Sequence, residues 1–155
     1  MIEVKDITKS FDGRTVLHEV SATFATGKTN LIIGQSGSGK TVLMKSLVGL
    51  LTPESGEILF DGRDVISMDQ QQRKDLRQEI GMLFQGSALF DSETVLGNVM
   101  FPLVMFTSKS QAEIRERAMF CLERVNLLGA ENKYPSEISG GMQKRVAIAR
   151  AIALN

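Results

Sequence analysis

An α/β fold is predicted for this 155-residue chain by three observations. Short apolar runs of strand length, among them Leu31-Ile32-Ile33 and Ile80-Gly81-Met82-Leu83-Phe84, alternate with helix-forming stretches. The first of these runs opens into a glycine-rich loop, Gly34-Gln35-Ser36-Gly37-Ser38-Gly39-Lys40-Thr41, which leads straight into the helical segment Val42 to Val48. Beyond about residue 86 the strand patterns stop and two helical ones follow, so a helical insertion interrupts the α/β framework.

Taken in order, Ile2, Val4 and Ile7 among Glu3, Lys5 and Asp6 predict a strand with one buried face. Asp12-Gly13-Arg14 turns the chain, and Val16 to Phe24 supplies a second strand, giving an antiparallel β prelude. Phe11, just before that turn, reads from local pattern as core, with a platform for a flat base as the alternative. Ala25 to Lys28 is a second turn, after which Thr29 to Ile33 is expected as a buried strand. Thr52 to Gly56 breaks the chain, Glu57 to Phe60 is a short strand, and Met68 to Glu79 is a polar surface helix. Ile80 to Phe84 is expected as another buried strand, ending at Gln85. Ligands of open α/β sheets face the carboxyl ends of parallel strands, so Gln85, like Gly34, stands where it can look onto a nucleotide. Thr94 to Phe106 and Ser110 to Val125 are expected helices, the second with an apolar stripe of Ile114, Ala118, Leu122 and Val125. Lys133 to Ser136 is loop, and the alanine-rich run Lys144 to Leu154 closes the chain as a helix.

Two stretches carry chemistry. The G-x-x-x-x-G-K-[ST] spacing of Gly34 to Thr41, between strand and helix, is the pattern of a phosphate cradle. Its glycines let backbone N–H groups close round an anion, and the helix that begins at Val42 adds its positive end. Lys40 would reach the β- and γ-phosphates, and the Thr41 hydroxyl would ligate Mg²⁺. Ser139-Gly140-Gly141-Met142, before the last helix, is either a plain serine cap or a second anion-receptive helix start. In company with the phosphate loop, the anion-receptive reading is preferred.

Composition removes several classes. Eighteen basic residues balance eighteen acidic ones, so charge gives no reason to expect nucleic acid as a partner. The one cysteine, Cys121, excludes an internal disulfide framework and a multi-cysteine metal site, and the single histidine, His18, is isolated. The longest apolar run, Val99 to Phe106, is far short of a membrane span and contains Pro102, and the charged opening Met1 to Asp6 is unlike a signal peptide. A cytoplasmic protein without direct membrane insertion is expected.

These motifs, in this order, resemble the nucleotide-binding domain of ATP-binding cassette (ABC) transporters, a resemblance that covers the whole chain. Gly34 to Thr41 is similar to the Walker A motif, Gln85 to the Q-loop glutamine, and Ile138 to Met142 to the LSGGQ signature with Ile for Leu and Met for Gln. Gln143 to Ala151 matches the signature's continuation, and Pro53 to Ile58 a P-x-x-G-x-I turn. The resemblance implies a P-loop NTPase core with an antiparallel prelude and a helical insertion subdomain. It implies division of residues 1–155 into a β prelude and core (1–85), a helical subdomain (86–138) and the signature helix (139–155). Bound ATP and Mg²⁺ would be held by Gly34 to Val42, with Phe11 stacking on adenine, a reversal of the local preference for core. Ser139, Gly140, Gly141 and Met142 would serve the nucleotide of a second such subunit in a head-to-tail dimer, most simply a homodimer. Gln85 would contact the metal and the attacking water. A transmembrane permease would dock on the insertion, holding the protein at the cytoplasmic face of the inner membrane. Loop residues such as Ala88-Leu89-Phe90, Asn98-Val99 and Phe101-Pro102-Leu103 look like those of phospholipid-trafficking, Mla-like ATPases.

One departure matters. The family continues past this point with a strand ending in the Walker B aspartate, a catalytic glutamate and a switch histidine, none of which this sequence reaches. The expectation is a partial domain, incomplete at its C-terminus, that binds ATP without turning it over and is poorly stable or associated because core strands lack partners. A soluble ABC protein without transport function, or an ATP-binding interaction module, are the competing readings. A small-molecule kinase has no place for the Ser139-Gly140-Gly141 motif.

Overall fold

The computed structural model describes residues 1–154 and divides into two compact units, one from Met1 to Arg77 and one from Gln78 onwards. In the first unit, β1 (Ile2–Phe11) pairs antiparallel with β2 (Arg14–Phe24) on one side and β3 (Ser55–Phe60) on the other. A short β4 (Arg63–Asp64) extends the sheet to the order β2-β1-β3-β4. Val4, Ile7, Leu17 and Ile58 are buried from this sheet; Val4 and Ile7 stand three residues apart, and a register shift between them, with Asp6 at φ 50°, lets β1 bury both. Salt bridges Lys5–Glu57 and Lys9–Glu54 tie β1 to β3 and its approach, at 2.8 and 2.6 Å.

Helix α1 (Lys40–Leu47) buries Leu43 and Leu47 and packs at its start on β2. Helix α2 (Gln70–Gln78) buries only Leu76, in keeping with its polar sequence. Its arginines fasten it: Arg77 donates to the carbonyls of Val48 and Gly49, and Arg73 to those of Ile66 and Met68.

The second unit is helical. Helices α3 (Val95–Phe106), α4 (Gln111–Arg124) and α5 (Gly140–Ala151) close on a core that includes Val99, Leu103, Ile114, Ala118, Cys121, Leu122 and Val146. The stripe expected on α4 is therefore its buried face, completed by Cys121. A capping box starts α4, with Ser110 and Glu113 each serving the other's backbone N–H. The Ser110 hydroxyl, and after it the Ser110 N–H, donate to the Glu113 carboxylate and hold it below the usual range. Helix ends are closed by arginines from their neighbours. Arg117 of α4 donates to the carbonyls of Ile152 and Ala153 after α5, and Arg145 of α5 to those of Val125 and Asn126 after α4.

Two expected strands are corrected. Thr29 to Ile33 forms no strand, and Leu31 and Ile33 are 78% and 83% exposed. Ile80 to Phe84 forms none either, with Leu83 and Phe84 exposed. A strand exists only through a ladder partner, and among the described residues neither run has one. The antiparallel sheet and the helices are formed, while a parallel ladder is absent from the described residues. Smaller differences are a helix start at Lys40 rather than Val42 and a 3₁₀ turn at Pro135–Glu137 where loop was expected, while α5 begins at Gly140 behind the expected serine cap.

Candidate functional site

The phosphate loop lies in the first unit. Its turn, Ser36 to Gly39, is closed by the Ser38 N–H donating to the Gln35 carbonyl at 3.2 Å. Gly37 and Gly39 have φ of 80° and 90°, the left-handed region in which any residue with a Cβ is strained. Gly34 meets a different constraint, because a Cβ there would lie 2.6 Å from the Ser38 hydroxyl oxygen.

Helix α1 leaves the loop from Gly39, which occupies the cap position without a side chain to cap. No acidic residue stands in its first turn. The N–H groups of this helix start are thus left to an external anion, the arrangement that phosphate binding exploits. Lys40 folds back over the loop, its Nζ donating to the carbonyl oxygens of Gly34 and Gln35 at 2.7 Å each. Gln35, Ser36, Ser38 and Thr41 are exposed, whereas Val42 is half-buried and its carbonyl accepts from Ser46 Oγ. The residues present fit an ATP phosphate chain and an accompanying Mg²⁺: an uncapped helix start, two left-handed glycines, a lysine and an exposed threonine hydroxyl.

Phe11 ends β1 at 41% exposure, so the core reading from local pattern is overturned. Its ring carries the Lys9 ammonium 5.3 Å from the centroid. The ring is exposed at the surface of the first unit with that cation over it.

Gln85 and the signature residues belong to the second unit. Gln85 and Gly86 are exposed, and the Ser87 N–H bonds back to the Phe84 carbonyl at 3.0 Å. Ser139 caps α5, its Oγ accepting from the Met142 N–H at 3.3 Å. Gly140 has no atom within 4 Å of a notional Cβ, and Gly141 only Ser139 Oγ at 3.9 Å. The side-chain cap serves the Met142 N–H alone, and no acidic residue stands in the first turn of this helix. The serine cap is real, and it leaves the neighbouring N–H groups free to receive an anion. The Met142 side chain packs against the helical core, so its backbone is the part available there.

Two side chains without an expected role hold the segment that follows Gln85. Asn98 is fully buried, and its Oδ1 accepts from the Phe90 N–H at 2.8 Å while its Nδ2 donates towards the carbonyls of Phe90, Glu93 and Thr94. Arg150 of α5 donates to the carbonyls of Ser87 and Ala88 at 3.0 and 2.8 Å. Burial lowers the pKa of the Arg150 guanidinium. A polar residue inside an apolar helix was the signal for the first. For the second, an arginine in the last turn of an alanine-rich helix looks like any dipole-compensating cation. Among the described residues no group of three or more His, Cys, Asp or Glu could hold a metal, and no helix is long and apolar enough to cross a membrane.

The family model described as ABC transporter matches residues 17–155. The probable ribonucleotide transport ATP-binding protein mkl of Mycobacterium leprae is 45% identical over 154 residues, covering 99% of this chain and 44% of that protein. The intermembrane phospholipid transport system ATP-binding protein MlaF of Haemophilus influenzae is 43% identical over 155 residues, covering 100% of this chain and 59% of that protein. The chain thus spans about half the length of these relatives. A dimeric post-hydrolysis structure of the ATP-binding cassette MJ0796 with ADP and Pi superimposes with a TM-score of 0.91 at 34% identity, over 100% of this chain and 70% of that one.

Proposed function

The chain belongs to the ABC transporter family, and on that premise we propose that it is the ATP-binding part of a transporter, holding Mg²⁺–ATP on the loop Gly34 to Val42. The observation that carries this reading is the uncapped start of α1 behind two left-handed glycines, with Lys40 poised over the loop. In the free chain the lysine ammonium is satisfied by the carbonyls of Gly34 and Gln35, which ties it to the loop. Phosphate oxygens add acceptors to that ammonium and to the open N–H groups of α1. Mg²⁺ bound at the Thr41 hydroxyl would neutralise charge between the β- and γ-phosphates. Phe11 offers its exposed ring to adenine, and Gln85 is the residue the family resemblance assigns to the metal and the attacking water.

Ser139, Gly140 and Gly141 are proposed to complete the nucleotide site of a second subunit. Support comes from a helix start with one side-chain cap bond and no acidic residue in its first turn, and from the dimeric state of the MJ0796 cassette. A permease helix is proposed to dock on α3, where Phe101, Val104 and Met105 are exposed although the opposite side of the helix is buried. Similarity to MlaF supports phospholipid as the cargo, and the expected location is the cytoplasmic face of the membrane through that permease.

The chain by itself is proposed to bind ATP without turnover. The Glu137 carboxylate, the acidic group nearest the signature, is engaged by the Tyr134 N–H at 2.7 Å, and Asp91 lies in an exposed turn. Neither is placed as a base for water. Calorimetric titration with Mg²⁺–ATP should show binding that Lys40→Ala weakens at least about tenfold, as expected for losing charge-assisted hydrogen bonds. Equal affinity in the variant would remove the loop from the reading. Steady hydrolysis by the purified chain, abolished by Lys40→Ala, would overturn the no-turnover proposal.

A further inference from the structure

The run from Ile80 to the start of α3 has no strand or helix of its own, yet Gln85 lies within it. Immediately after Gln85, Ser87 and Ala88 both adopt left-handed backbone, with φ of 61° and 48°. Two consecutive residues with a Cβ stay in that region only when surroundings hold them there. The holding group is visible. The Arg150 guanidinium donates one arm to each of the two carbonyls, Ser87 at 3.0 Å and Ala88 at 2.8 Å, and lies over the Phe90 ring 5.7 Å from its centroid.

The same helix end meets the run on the other side of Gln85. A Cβ at Gly81 would collide with the Ala151 carbonyl, so the backbone there passes directly against the last turn of α5. Downstream, Asn98 clasps Phe90 through both its N–H and its carbonyl. Gln85 is therefore the exposed crest of a segment fixed before and after by the C-terminal turn of α5.

We propose that Arg150 is the positioning residue of the Gln85 loop, fastening it to the helix whose opposite end presents Ser139, Gly140 and Gly141. The proposal rests on the reading above that Gln85 and Ser139 serve nucleotide. The two functional ends lie roughly 18 Å apart along one helix. A helix is stiff over that length, so a movement imposed at the Ser139 end reaches Gln85 through Arg150, and a movement of the loop returns the same way. Arginine suits the task because its planar fork bonds two neighbouring carbonyls at once while its face rests on a ring. A lysine is a point charge and holds one of them.

Amide hydrogen exchange on the 155-residue chain tests this, since the Ser87 and Ala88 amides are bonded to the carbonyls of Phe84 and Gly86 and report opening of the loop. Arg150→Met keeps the aliphatic stem and removes the fork. It should speed exchange at residues 86–90 by about tenfold, the scale of lost charge-assisted hydrogen bonds, with amides 143–149 of α5 unchanged. Arg150→Lys should fall between the variant and the parent. Unchanged exchange at 86–90 in Arg150→Met would overturn the tether. So would a parallel rise along α5, which would make Arg150 a general packing residue. Mg²⁺–ATP binding is titrated on the same samples against Lys40→Ala. Loss of the nucleotide reading appears there, while loss of the tether appears only in the exchange rates.

Discussion

Truncating Asn98 to alanine should cost the second unit a large part of its stability, and the structure says which bonds carry the loss. The side chain is fully buried and makes one acceptor and three donor contacts, its two hydrogens being shared among three carbonyls. Two of those carbonyls keep a partner in the variant: Phe90 O still receives the Glu93 N–H, and Thr94 O still receives the Asn98 N–H. The Phe90 N–H and the Glu93 carbonyl lose the partner they have. At about 1–3 kcal/mol for each group left unsatisfied, discounted because Phe90 is partly exposed to water, Asn98→Ala should destabilise by about 2–4 kcal/mol. Urea unfolding followed by far-UV circular dichroism reads this as a fall in midpoint at unchanged slope. A loss below about 1 kcal/mol would refute the reasoning, because it would mean the loop 90–94 finds water or a new fold without strain. A change of slope instead would show that the native loop itself had loosened.

Gly37→Ala meets open space and carries only the left-handed penalty, about 1 kcal/mol. Gly39→Ala adds contact at 3.0 Å with Leu17 and 3.1 Å with the Val16 carbonyl, so it should destabilise more and weaken Mg²⁺–ATP binding more than Gly37→Ala. Equal effects in thermal melts and titrations would count against the cradle geometry. The Cys121 thiol is buried, and burial raises its pKa, so a disulfide reagent should react with it only as the second unit unfolds. Rapid labelling of the folded chain would contradict that packing. Glu113 is held below the usual carboxylate range by Ser110, so the capping box contributes stability above the unfolded-state pKa and loses it as pH falls through the lower folded value. Glu113→Gln should therefore flatten the acid limb of a stability–pH profile, and an unchanged limb would assign the dependence elsewhere.

The candidate site residues stand out in the sequence because their pattern is local. Gly34 to Thr41 declares itself by spacing, and the left-handed glycines and uncapped α1 answer that spacing. The turn at Asp12-Gly13, the capping box at Ser110 and the apolar stripe of α4 are equally local, each depending on neighbours within a few residues. Phe11 was ambiguous for the opposite reason. Whether an aromatic at a strand end is covered depends on what other segments pass over it, and here it stays exposed.

What the sequence determined by itself is the family motifs, the helices of the second unit and the antiparallel prelude, all specified by short-range pattern and turn chemistry. What only the tertiary structure decided is which apolar runs are strands and which side chains hold the loops. Leu31 and Ile33 read as buried strand, but a ladder needs a partner from elsewhere in the chain, and none of the described residues provides it. Arg150 reads as a surface cation, yet it grips carbonyls 63 and 62 residues away. Hydrogen bonds across such separations follow from chain topology, which no local window of residues records.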